Sequence, residues 1–211
     1  TYASYSPPDQ KSDCNQANPS ASVTLRKLVG PLHRSQMEKP PFIVTAALPR
    51  DLFAWANQLR CEHFPPERSH LHAHVTLFHS FAPSLYEELK TLLPRVASEF
   101  APVPARLLGL MDLGKGTALA IESAGMLRIR ELIADHFHGS LTLQDLHEPC
   151  LHITIQNKVS KEKARELQAM LSPKLEPRKF NFAGLELHIY RGGPWEEAGK
   201  FAFRGQADAC C

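Results

Sequence analysis

From Pro41 onward, apolar positions alternate between short β-type runs and longer stripes of helical period. Phe42 to Leu48 is an apolar, β-branched run closed by Pro49, which predicts a buried strand. Asp51 is placed to cap a helix whose Leu52, Trp55 and Leu59 fall three and four apart. A second strand is expected over about 72–81. After it, Ser84 and Glu87 have capping-box spacing, with Leu85, Leu89, Leu92 and Val96 on one face and Pro94 placed to kink or shorten the helix. Strands follow near 103–112 and 116–122 around the turn signal Gly114-Lys115-Gly116. Met126, Ile129, Ile133 and Phe137 then mark a helix, and 151–156 a strand. A helix over 160–171 turns Ala164, Leu167 and Leu171 inward. The chain closes with an antiparallel pair, about 181–190 and 199–204, around Gly192-Gly193-Pro194-Trp195.

Residues 1–36 are rich in Ser, Pro, Asn and Gln and poor in large apolar side chains, so they are expected to form a flexible extension. Residues 37–211 then form a single domain. Within it the pattern repeats at a shift of 78 residues, the distance from His74 to His152. Thr76 falls on Thr154, Glu88 on Glu166, Leu89 on Leu167 and Leu93 on Leu171. The register continues through Ala105 on Ala183, Leu107 on Leu185 and Gly114 on Gly192. Two copies of a β-α-β-α-β unit imply two similar lobes about a pseudo-twofold axis, with equivalent strands facing across a cleft.

Composition narrows the function classes. The 211 residues are 43% hydrophobic and 22% charged, and the formal charge of +2 excludes a general basic field over the surface. Five scattered cysteines without a C-x-x-C pair fit free thiols in a reducing compartment. No apolar run reaches the roughly 18 to 20 residues of a membrane span. A cytoplasmic protein acting as a monomer is expected, without a membrane partner and without a cofactor.

On a strand, His74 and Thr76 share one face while Val75 and Leu77 take the other; His152 and Thr154 stand likewise against Ile153 and Ile155. Two imidazoles and two hydroxyls suit phosphodiester chemistry. A neutral imidazole takes a proton from water, a protonated one gives a proton to the leaving oxygen, and the hydroxyls donate to non-bridging oxygens without demanding a metal. His188 and Tyr190 share a face of the late strand; Tyr190, Phe42 and His72 are candidate substrate contacts, and Trp195 is a further aromatic of that kind. The rival reading is a metal site built from His70, His72 and His74 alternating along one strand, which leaves both threonines and the second copy unused. A non-catalytic RNA- or nucleotide-binding protein is the other alternative. The intact His74, Thr76, His152 and Thr154 speak against it.

His74-Val75-Thr76-Leu77 and His152-Ile153-Thr154-Ile155 resemble the paired signatures of the 2H phosphoesterase superfamily, in particular its bacterial 2′-5′ RNA ligase and RNA 2′,3′-cyclic phosphodiesterase branch. The likeness spans roughly residues 40–204. It implies an α+β, bilobal fold with antiparallel sheets lining a central cleft and helices outside. It implies acid and base roles for His74 and His152, with His152 the base and His74 the acid, and phosphate contacts for Thr76 and Thr154. The implied substrates are RNA ends or small nucleotides carrying a 2′,3′-cyclic phosphate, opened to a 2′-phosphate, with reversible 2′-5′ ligation in some members. Phe78-His79-Ser80 and Gln156-Asn157-Lys158 depart from the branch's usual residues, which bears on substrate choice.

Overall fold

A computed structural model describes residues 40–206; the expected extension over residues 1–36 lies outside them. The chain runs β1 (Phe42–Ala47), α1 (Arg50–His63), β2 (Val75–Phe81), α2 (Tyr86–Glu99), β3 (Val103–Asp112), β4 (Gly116–Glu122) and α3 (Ala124–His136). It continues through β5 (His152–Asn157), α4 (Lys161–Leu171), β6 (Arg178–Phe182), β7 (Gly184–Tyr190) and β8 (Trp195–Ala202). Two four-stranded sheets result, ordered β2-β1-β7-β8 and β5-β4-β3-β6, and every pairing is antiparallel.

The repeat is visible in this topology. β1-α1-β2-α2-β3 is one unit, and β4-α3-β5-α4 continued by β7 is the other. The third strand of each unit crosses into the opposite sheet: β3 pairs with β4, and β7 pairs with β1. Several residues that coincide at the 78-residue shift are structural equivalents, although Ala105 is buried on β3 and its counterpart Ala183 is exposed between β6 and β7. Leu89, Leu93, Leu167 and Leu171 are buried on their helices, and Leu107 and Leu185 are buried on the exchanged strands. Gly114 and Gly192 occupy the hairpin turns with φ of 74° and 85°, a region that admits glycine without strain. One continuous apolar core joins both sheets and the helices.

Several sequence expectations are corrected. The strand expected from residue 72 begins at Val75, so His70, His72 and His74 do not alternate along a strand. Among the described residues no group of three metal-ligating side chains converges. Neither Asp51 nor Ser84 caps a helix, because Pro83–Leu85 forms a 3-10 turn and α1 opens at Pro49 without a side-chain cap. Pro94 sits inside an uninterrupted α2. On α1 the expected Leu52 is buried and Trp55 and Leu59 pack partly buried against the core, and Ala56 and Arg60 are buried beside them. The run expected at 181–190 is two strands, β6 and β7, broken at Ala183, and β8 starts already at Trp195. Cys61 is a free thiol, whereas Cys150 is not. No described helix is long and apolar enough to cross a membrane.

Two glycines let neighbouring strands close. A Cβ on Gly116 would lie 2.3 Å from the Gln156 carbonyl oxygen, and one on Gly184 would lie 2.2 Å from that of Phe201. Both obstacles are backbone. Gly184→Ala is therefore expected to lower stability by about 1–3 kcal/mol through overpacking, read as a lower unfolding midpoint in urea with an unchanged slope.

Candidate active site

β2 and β5 are edge strands of their sheets, and each carries one His-x-Thr motif. Hydrophobic alternation fixes their facing. Val75 and Leu77 on β2, and Ile153 and Ile155 on β5, are in the core, while Thr76 and Thr154 remain partly accessible on the other face. His74 stands one residue before β2, and His152 opens β5.

Both imidazoles are held in the same way. His74 Nδ1 lies 2.7 Å from the carbonyl oxygen of His72, and His152 Nδ1 lies 2.7 Å from that of Cys150. A carbonyl only accepts, so each Nδ1 must carry the proton. Each neutral ring therefore presents an unprotonated Nε2, the nitrogen able to take up a proton. The two motifs are equivalent in backbone, in parity and in tautomer.

Their neighbours differ. Opposite Thr76 on β1 stands Thr45, and opposite Thr45 on β7 stands Glu186. The Thr45 hydroxyl lies 3.0 Å from His188 Nε2, and Glu186 lies 3.6 Å from the same nitrogen. Trp195 packs its ring 4.5 Å from that of His74 and 5.4 Å from that of His188. On the second sheet, the cross-strand partners of His152 and Thr154 are Ala120 and Ala118. A cavity of about 250 Å³ opens beside His74, lined by Phe53, His72, Glu186, His188 and Trp195 among others. A second, of about 200 Å³, shares Phe53, His74, Glu186 and Lys200 with it.

This asymmetry sets the electrostatics. Burial is the main cause that pushes the His74 pKa down to about 4, opposed by the bond to the His72 carbonyl and reinforced by the charges of Arg60, His188 and His152. His152 is thus within electrostatic reach of His74. The His188 ring beside it is the largest cause holding the Glu186 carboxyl below its usual range, against the opposing effect of burial.

The other expected contacts divide. Tyr190 ends β7 directly across from Trp195 and is exposed, and His72 lines the larger cavity. Phe42 does not reach the cleft: it is buried and stacks on Tyr86 at 4.8 Å, because its parity on β1 is opposite to that of Thr45. Sequence reasoning missed Thr45, Glu186, Asp145 and two buried arginines, Arg60 and Arg130. Asp145 is 2% exposed and accepts from the backbone N–H groups of His79 and Ser80 and from the Thr142 hydroxyl. Burial raises its pKa, but these bonds and the His79 ring outweigh it and hold the carboxyl below its ordinary range. The arginines left a readable signal, since each continues an apolar helical stripe: Leu52-Ala56-Arg60 and Met126-Ile129-Arg130-Ile133.

The fold and paired motifs define a class, and the comparisons agree. The model of the 2′-5′ RNA ligase superfamily matches residues 48–194, and the chain belongs to that family. Similar solved structures include TT0787 of Thermus thermophilus, at 19% identity and TM-score 0.54, covering 79% of this chain and 100% of that one. A phosphoesterase aligns at 16% identity and TM-score 0.55, over 80% of this chain and 100% of its own. LigT of E. coli complexed with 3′-AMP aligns at 16% identity and TM-score 0.53, over 80% and 100% of the two chains. At these identities the likeness is one of fold. A search of curated proteins gave no match.

A depressed imidazole has a measurable consequence. Between the ordinary imidazole pKa of about 6.5 and the folded value near 4, unfolding takes up a proton at His74, so its contribution to stability falls as pH drops through that window. ¹⁵N-resolved NMR of the histidine rings should show His74 as the neutral Nδ1–H tautomer at pH 6, charging only near pH 4. A His74 ring that is half charged at pH 6.5 would contradict this.

Proposed function

We propose that the chain is a phosphodiesterase acting on 2′,3′-cyclic phosphates of RNA ends or nucleotides, with His74 and His152 as the proton-transfer pair. The observation that carries this reading is the identical pinning of two imidazoles by the carbonyl two residues before each, beside a threonine hydroxyl on each motif strand. A neutral Nε2 suits a base, so the depressed His74 is assigned the base. The acid role falls to His152. This reverses the division that the family resemblance implies.

In the proposed step, water attacks phosphorus as His74 Nε2 takes its proton. The bond from phosphorus to the 3′ oxygen breaks, and that oxygen receives the proton of the His152 imidazolium. A 2′-phosphate remains, and solvent exchange restores both rings. Thr76 and Thr154 are assigned to the non-bridging oxygens, where a hydroxyl donor stabilises accumulating charge. With a 5′-hydroxyl in place of water, the same displacement makes a 2′-5′ bond, and its reverse cleaves one. The 3′-AMP held by the structurally similar LigT supports a nucleotide-sized ligand. The cavity beside His74, with Trp195 in its wall, is assigned to the nucleoside.

His74→Ala and His152→Ala should each reduce turnover of a 2′,3′-cyclic nucleotide by about 10² to 10⁴. The double variant should lose less than the product of the two single losses, because acid and base serve one concerted step. Thr76→Ala and Thr154→Ala should cost less, and the corresponding serines should regain part of the loss. Activity should survive EDTA. Near-normal turnover by folded His74→Ala and His152→Ala proteins would refute the reading.

A further inference from the structure

Arg60 and Arg130 are 4% and 6% exposed, and neither ion-pairs through its guanidinium with a carboxylate among the described residues. Burying such a group is costly unless its donors are satisfied. If packing were their only task, Leu or Met would fill the same helical positions at lower cost. Their partners indicate the task instead.

Arg60, on α1, donates from Nε to the Leu71 carbonyl at 2.8 Å and from Nη1 to the Thr154 carbonyl at 2.7 Å. Arg130, on α3, donates from Nε to the Leu77 carbonyl at 3.3 Å, and from Nη2 to the carbonyls of Asp145 and, at 2.8 Å, His147. The two sets are alike in kind. Each arginine holds the approach to the motif that follows it in its own unit: Leu71 precedes His72 and His74, and Asp145 and His147 precede Cys150 and His152. Each also holds the opposite motif strand, Thr154 on β5 for Arg60 and Leu77 on β2 for Arg130. Each guanidinium also lies over an aromatic ring, that of Arg60 3.9 Å from Phe64 at the end of its own helix and that of Arg130 4.8 Å from Phe78 on β2.

The partners are carbonyls that the sheets leave over. β2 and β5 are edge strands, and Leu71, Asp145 and His147 lie outside any strand. A planar guanidinium with five donors in a fixed fork bridges two such carbonyls at a set separation; an ammonium on a flexible stem does not. We propose that Arg60 and Arg130 are twin positioning residues that hold the two motif strands in mutual register and steady the segments whose carbonyls orient His74 and His152. Neither is a catalytic residue. The inference rests on the acid–base reading given above, and it concerns what sets the distance between the two rings.

Arg60→Lys and Arg130→Lys test it, because lysine keeps the charge and most of the packing but loses the fork. Each folded variant should lose about ten- to a hundredfold in kcat, the scale set by small misplacements of reacting groups, with KM changed by no more than a few-fold. ¹⁵N spectra of the histidine rings give a second readout that needs no turnover. Arg60→Lys should move the His74 ring signal and the Thr154 backbone signals together, although these lie in opposite halves of the chain. Arg130→Lys should do the same for His152 and Leu77. Folded variants with kcat within two- to threefold of the parent and unmoved ring signals would overturn the proposal. So would failure of both variants to fold, which would mark the arginines as structural only. If the acid–base reading itself fails, His74→Ala and His152→Ala stay active while the ring signals still report on the clamps, so the two failures are told apart.

Discussion

Each half of the chain lends its third strand to the other half's sheet: β3 to β4, and β7 to β1. Separating the lobes would mean tearing central ladders, whose backbone groups cannot be left unpaired in a core. The exchange therefore fixes where β2 and β5 lie, each at an edge beside the strand its own unit began with. Edge strands usually invite unwanted pairing. Here their spare carbonyls at Leu77 and Thr154 are taken by buried guanidinium groups, and their accessible faces carry the two motifs. Each imidazole thus stands at the start of a strand that backbone pairing holds in place, His152 on β5 and His74 one residue before β2.

Much of this is legible in the sequence because repetition and parity are one-dimensional properties. The 78-residue shift identifies the equivalent strands and helices, and period-two alternation identifies the accessible side of each motif. What stays hidden depends on chemistry that periodicity does not register. The three histidines before Val75 alternate on paper, but two prolines, Pro65 and Pro66, open a 3-10 turn, and the chain becomes extended only at the motif. Asp145 sits in an irregular stretch and is identified only by the donors that reach it from β2. Arg60 and Arg130 stand on apolar helical stripes in the sequence, but the carbonyls they reach are set by strand pairing and are not legible there. β6 merges with β7 in the sequence because Ala183 breaks the run without a turn residue.

The two motifs share their backbone, but the sheets place different side chains alongside them. Sheet one brings Thr45, Glu186, His188 and Trp195 against the first motif, whereas sheet two offers Ala118 and Ala120 against the second. Burial under Trp195 and nearby positive charge hold His74 neutral. Environments that drive two titratable groups apart are how one fold runs acid and base chemistry together. The duplicated backbone gives two like motif strands, and the unduplicated side chains supply the division of labour proposed for the pair.

The central claim is that both motifs act on a single phosphate. It is tested most directly by titrating the protein with a nucleoside 2′-monophosphate, the proposed product, while following the histidine rings by ¹⁵N NMR. The account predicts that the His74 and His152 signals move together along one saturation curve, while those of His79 and His136, engaged by Asp145 and Glu88, stay in place. Movement of one motif histidine alone, or of the two along separate curves, would contradict it.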